Sequence, residues 1–266
     1  QSNTVSNEDG MKALNEGGIS VDNAENVTIV VQPYLDITLK DASSETDGKK
    51  SFTVDITPKY RKVATTATDL SQVIVKGEEE DQETANAVIV AESVNLTVNR
   101  TVEVSIALPK DFVSTGENEL YVHHQKNGLT YVYKGIITGN ADNQTLTFTN
   151  PHGFSLFTIT TESPVAQIGD NYYATLTDAV ADVADGQTIE LLKESAEKIT
   201  VQRNVSFTVD TTHGTFAGSI EAGSNYSMTK TEKDGKITYT FTRNSSSSSS
   251  GSSNRTLTFN VNGGSE

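Results

Sequence analysis

Four histidines, a set of tyrosines and several acidic clusters are the side chains of this chain that could do chemistry. His123 and His124 are adjacent, and adjacent side chains on a strand point to opposite faces, so the pair cannot share one metal. His152 and His213 stand alone, with no further histidine at ligand spacing and no His-Glu-x-x-His run. The spacing therefore predicts no metal site and no cofactor. Glu78-Glu79-Glu80-Asp81 lacks the alternating Asp/Asn and the fixed glycine of a calcium loop. It reads as a solvated loop whose like charges repel one another. Asn140-Ala141-Asp142-Asn143 holds a single carboxylate and reads as a turn. The chain has no cysteine, which excludes disulfides and thiolate chemistry. It also has no tryptophan, so a sugar-stacking platform would fall to Tyr131, Tyr133, Tyr172 and Tyr173. Tyrosines on strands usually pack against cross-strand neighbours, which makes carbohydrate binding the minority reading. No catalytic residue is assigned.

The elements that must position these residues are strands. Among 266 residues, 36 are threonine, and valine and isoleucine are frequent; β-branched side chains lose rotamer freedom on a helix and fit a pleated, half-buried surface. The length suggests about two domains of ordinary size. The net charge of −15 repels phosphate backbones and argues against nucleic acid as a partner. No apolar run reaches the roughly 20 residues of a membrane span. Residues 1–18 are polar and glycine-punctuated and read as a loosely ordered arm with one possible helical turn at Met11 to Leu14. Period-2 alternation then runs through Val27 to Val31, Leu35 to Leu39, Phe52 to Ile56, Ala87 to Val90 and Val102 to Leu108. Leu120 to His124 and Leu129 to Tyr133 flank Lys126-Asn127-Gly128, and Asn-Gly supplies the positive φ of a type I′ hairpin turn. Leu146, Phe148 and Phe154 to Ile159 add further strands. Short strands at this spacing predict an antiparallel β-sandwich over 19–162.

Residues 163–243 follow another pattern. Thr175-Leu176-Thr177-Asp178 has the form of a capping box, and Leu176, Ala179, Val180 and Val183 fall on one helical stripe. Asp185-Gly186 ends that helix, and four short strands follow. Residues 244–254 are a Ser-rich linker with almost nothing to bury, and 255–266 read as the first strand of a further β repeat.

Three stretches resemble modules of Firmicutes cell-surface proteins. Ser105 to Pro109, the Tyr121-Val122-His123-His124 hairpin and Pro151 to Ile159 look like a β-sandwich whose last strand carries a His-Phe-Ser-like signature. Tyr173 to Val180 followed by Asp185 to Leu191 is similar to the opening of right-handed β-helix repeats, where a helix caps the first coil and later strands stack as rungs. The space available allows one or two coils. Leu257 to Gly264 resembles the start of a Listeria–Bacteroides repeat. Together these resemblances imply a non-enzymatic, exported, adhesin-like segment or stalk on the surface of a Gram-positive bacterium, with leader and anchor outside these residues. Its partner would be a host or wall ligand, glycan or protein. The runner-up is a carbohydrate-binding or carbohydrate-processing module in the β-helix-like region. Paired carboxylates for glycoside cleavage would have to come from Asp178, Asp182, Asp185 and Glu190, whose placement on the helix and its exit suits helix polarity better. The His-Phe-Ser signature also implies self-cleavage at Phe154–Ser155, the serine hydroxyl attacking the preceding carbonyl with a histidine as base. Here Gly153 separates His152 from Phe154, so His152 and Ser155 are expected on opposite strand faces and the chain is expected to stay whole. Phe154 and Leu156 are expected to fill the core.

Overall fold

A computed structural model of the chain describes residues 5–46, 48–77, 84–112, 119–140 and 143–245. Most of the expected linker, all of the expected final repeat, the acidic run 78–81 and Ala141-Asp142 lie outside the described residues. The fold is mainly β, with one α-helix near the start of each half of the chain.

The expected loose arm is a helix. In α1 (Asn7–Glu16) the Ser6 hydroxyl accepts the Asp9 N–H at 3.1 Å while the Asp9 carboxylate accepts the Ser6 N–H at 3.1 Å. This capping box satisfies end donors that the helix itself cannot. Leu14 is fully buried against Val21, Val27, Ala64 and Val88. A Cβ on Gly10 would stand 2.8 Å from Ile29 Cδ1 and 3.0 Å from Ala64 Cβ, so glycine is what lets the helix lie this close to the sheet. Glycines lower helix propensity. Burial of Leu14, a tertiary effect, outweighs that cost.

The helix rests on a long antiparallel hairpin, β1 (Thr28–Thr46) and β2 (Lys49–Thr65). The far half of β2, Lys59 to Thr65, pairs on its other side with β3 (Ala87–Asn95). The predicted sandwich is therefore preceded by a small helix-on-sheet layer with its own core.

Next come β4 (Val102–Ala107), β5 (Tyr121–Lys126), β6 (Leu129–Lys134), β7 (Ile136–Thr138), β8 (Thr145–Asn150) and β9 (Leu156–Thr160). The order β2-β9-β5-β6 makes one face and β4-β8-β7 the other. Between them Phe52, Val54, Ile56, Val104, Ile106, Val122, Phe148, Phe157 and Ile159 are buried. The β5–β6 turn has Asn127 at φ +53 and Gly128 at φ +81, the conformation that Asn-Gly favours. Phe154 packs half-buried against the core as expected, but Leu156 points outward and Phe157 and Ile159 fill the core in its place. Phe154 and Ser155 precede β9 and are not strand, and the chain bends at Ser155, so alternation cannot be projected back through them.

The second half opens with a short hairpin, β10 (Ala166–Ile168) and β11 (Asn171–Tyr173). β11 pairs with β6, setting Tyr172 opposite Val132 and Tyr173 opposite Tyr131. After α2 (Leu176–Asp182) come β12 (Thr188–Leu191), β13 (Lys198–Val201), β14 (Val205–Asp210) and β15 (Ser219–Ala222). β12 lies parallel to β14 and β13 parallel to β15, with Thr188 opposite Thr208 and Lys198 opposite Ser219. Parallel pairing at that offset is a stack of two short coils. The final hairpin, β16 (Tyr226–Lys233) and β17 (Lys236–Arg243), lies antiparallel on β14 and closes the stack. β10 pairs with β12, so one sheet of 12 strands runs from β1 through the sandwich and the seam to β16.

Candidate functional site

The chemistry-bearing residues gather where β5, β6 and the loop before β9 meet. Strand alternation separates the adjacent histidines of β5. His123 faces outward, its Nε2 2.9 Å from the Glu162 carbonyl. His124 faces inward, fully buried, its ring stacked 4.2 Å from Phe157. On β6, Tyr131 and Tyr133 share the inner face, and His152 stacks on Tyr131 at 3.7 Å. The loop is fixed by Asn150, whose side chain accepts the His152 N–H at 3.2 Å and donates to the Gly153 carbonyl.

These groups form a chain of hydrogen bonds whose direction one end determines. The Ser155 hydroxyl meets the Gln125 carbonyl, and a carbonyl can only accept, so Ser155 donates there. Its oxygen then accepts the Nε2–H of His124, 2.9 Å away. Burial pulls the His124 pKa down to about 4, helped by the nearby Lys126 and His152, so the ring is neutral at pH 7. Its bare Nδ1 accepts the Tyr133 hydroxyl at 2.8 Å. The Tyr133 oxygen in turn accepts the His152 Nδ1–H at 2.9 Å. His152 is thus joined to Ser155 through Tyr133 and His124.

This geometry revises the roles implied for self-cleavage. The histidine on Ser155 is His124, from a neighbouring strand, and not His152. Lys126 Nζ donates to the Phe154 carbonyl at 3.1 Å, the place where negative charge would develop during attack. In this direction of the relay, however, His124 presents an N–H to Ser155 and cannot take its proton. Reversal requires each proton to move one partner along and leaves the Gln125 carbonyl without Ser155, a cost of about 1–3 kcal/mol. Ser155 Oγ is also held from β5 through both Gln125 and His124. The resting relay ties β5, β6 and the β9 approach together.

The tyrosine platform is not assembled. Tyr133 is 8% and Tyr173 1% exposed, so neither offers a ring face to a sugar. Tyr173 instead gives its hydroxyl to Asp182 at 2.6 Å, tying the seam to α2. Tyr131 is half-buried with one face under His152. Tyr172 is half-buried and lines a groove of about 510 Å³ with His152, Asp170 and Asn171. Strand parity would have separated Tyr172 from Tyr173, but not shown which of them the neighbouring module buries.

Among the carboxylates, Asp182 holds Tyr173, Asp178 accepts the Thr175 hydroxyl at 2.8 Å, and Asp185 accepts the Ser206 N–H at 2.7 Å. Asp178 belongs to the α2 cap, while Asp182 and Asp185 tie α2 and its exit to neighbouring strands. Among the described residues, no cluster of three or more His, Asp or Glu side chains is placed to hold a metal ion, and no helix is long and apolar enough to cross a membrane. Gln125 and Lys126 carry no signal in the sequence because their partners depend on the register between β5 and β9, whereas Asn150 bonds only residues two and three positions on, a local turn that an Asn before Pro151 could have signalled. No protein-family model, curated protein or solved structure matches this chain.

Proposed function

We propose that the chain is a non-enzymatic segment of an exported bacterial surface protein, working as a stalk or spacer that presents adhesive parts to a host or wall ligand. The observation that carries this reading is the continuous sheet across the seam. β6 is hydrogen-bonded to β11, and Tyr131 packs 5.6 Å from Tyr173 beneath it. Two modules sharing a sheet transmit load through paired backbone and have no hinge at that point, which suits a spacer. The direction of the Ser155–His124 relay favours a structural role for the chemical groups. The test is protease shaving of intact cells that express the full-length protein, followed by peptide mass spectrometry. Peptides from residues 5–245 released without lysis support surface display; their appearance only after lysis overturns it.

A glycan-binding reading rests on the groove beside Tyr172, which combines an aromatic ring with Asp170, Asn171 and His152. Binding on a glycan array that disappears in Tyr172→Ala would favour it over the pure spacer.

A further inference from the structure

The two end strands of the long sheet's main path, β1 and β16, are built differently. β16 presents Lys230, Glu232 and Lys233 along its length, a charged edge of the kind that resists pairing. β1 presents Val31, Leu35, Ile37 and Leu39, which are 55, 37, 42 and 57% exposed. Its outer backbone has no strand partner among the described residues. Successive residues of an antiparallel ladder turn their N–H and C=O alternately toward and away from a given neighbour. Ile56 gives its N–H to the Ser155 carbonyl at 3.1 Å, and the Pro58 carbonyl accepts the Leu96 N–H at 2.8 Å, so both face away from β1. Their partners on β1, Ile37 and Leu35, must therefore turn their own groups to the free edge, and Leu39 shares that parity.

Two features bound this open stretch. Pro33 has the same parity and no N–H to offer. The register slips between Leu39 and Asp41, where a bulge ends the regular strand. What lies between is 34–40, centred on Ile37.

We propose that this stretch pairs antiparallel with the same stretch of a second copy of the chain, about a twofold axis through Ile37. That register opposes Ile37 to Ile37 and Leu35 to Leu39, and each opposed pair exchanges both of its backbone hydrogen bonds. Pro33 then lies opposite Asp41, so each copy's interruption meets the other's. The two adjacent registers that keep this parity oppose Leu39 to Pro33 or Leu35 to the bulged Asp41. Charge agrees with the pairing. The only charged residues within 34–40 are Asp36 and Lys40, of opposite sign, already paired with Lys59 at 2.5 Å and Asp55 at 3.8 Å. On a chain of net charge −15 this strip is locally neutral, which removes the repulsion that two copies would meet elsewhere. Lys40 of one copy also comes to lie opposite the Tyr34 ring of the other.

The inference does not use the spacer reading, and its test is separate. Because the chain has no cysteine, single cysteines report cleanly. Ile37→Cys places two thiols across the axis on Cα atoms about 5.5 Å apart, within disulfide reach. Thr38→Cys places them diagonally, about 7–8 Å apart and beyond it. Oxidation of the full chain should cross-link Ile37→Cys into a dimer and leave Thr38→Cys monomeric. Sedimentation velocity should show a concentration-dependent dimer that is lost in Ile37→Pro. That change removes an edge N–H while leaving the β1–β2 hydrogen bonds in place, and an unaltered thermal melt checks that the fold survives. A wild-type monomer at every concentration from micromolar to millimolar overturns the proposal. So does Thr38→Cys cross-linking as readily as Ile37→Cys, or a dimer indifferent to Ile37→Pro.

Discussion

The sandwich and the coil stack solve the same packing problem with different chemistry. The sandwich interior carries His124, Asn150 and Thr160 among its buried side chains and connects Ser155, His124, Tyr133 and His152 in a directed relay. The coil stack buries Leu176, Val180, Ile189, Leu191, Ile199, Val201, Phe207, Val209 and Ile220, and apart from the tyrosines Tyr173 and Tyr239, Ser195 is its one buried polar side chain among the described residues. Its polar order lies outside the core, in threonine and serine ladders such as Ser206–Thr240 and Thr208–Thr238, each at 2.9 Å. Apolar stacking is indifferent to protonation and tolerant of small shifts. A hydrogen-bonded relay demands one register and one charge state. The two halves should therefore respond to different insults, although one sheet joins them.

The largest expected effect is at the seam that makes them one body. Tyr173→Ala removes a buried ring shared with Tyr131 and the hydroxyl that holds Asp182, and should cost about 3–5 kcal/mol. Denaturant unfolding followed by probes in each half should change from a single transition to two. A single, coincident transition in the variant would show that the coupling of the two halves does not depend on Tyr173.

Acid should separate the halves next. The folded pKa of His124, about 4, lies below its unfolded value of about 6.5. Its contribution is fully present above pH 6.5 and is lost as pH falls toward 4, because the unfolded chain binds the proton first. Burial lowers the pKa of His123 and His152 in the same direction. The loss should approach about 3 kcal/mol for His124, since a tenfold difference in proton affinity between the folded and unfolded chain is worth about 1.4 kcal/mol. Hydrogen exchange at pH 7 and pH 4.5, corrected for intrinsic rates, should show β5 and β6 losing protection while β12 and β14 keep theirs. Equal loss in both halves would contradict the comparison.

A smaller effect isolates the relay. Ser155→Ala leaves the Gln125 carbonyl without the serine donor and the His124 Nε2–H without its acceptor, a cost of about 1–3 kcal/mol. The same residue decides chain integrity. Intact-protein mass spectrometry after days at neutral pH should find one uncleaved chain, as the relay's direction implies. Fragments ending at Phe154 and beginning at Ser155, absent in Ser155→Ala, would mean that the relay reverses and that Lys126 supports attack.

The smallest effect is expected at Tyr172, whose half-buried ring lines the groove beside the seam. Tyr172→Ala should change stability by no more than about 1 kcal/mol. A larger loss, measured by denaturant titration, would make Tyr172 part of the seam and weaken the glycan-groove reading.

Much of this architecture was legible in the chain because local physics dictates it. β-branched alternation marked the strands, Asn127-Gly128 set the hairpin turn, and the Leu176–Ala179–Val180 stripe behind Thr175 marked α2. Those signals lie within a few residues of one another and need no partner. Tertiary structure completed α1: its Ser6–Asp9 capping box is local, but Gly10 weakens the helix until Leu14 finds its pocket. Tertiary structure also decided the parity of β9, because the chain bends at Ser155 before the strand begins at Leu156 and the alternation does not carry through from Phe154. The relay belongs to the same class: His124 meets Ser155 only because Gln125 lies opposite Leu156, and a register between strands distant in sequence is chosen by the whole core. Residue type and spacing fixed which elements could form. Which side chains they brought together was set by long-range pairing, since a strand's faces are known locally but its neighbours are not.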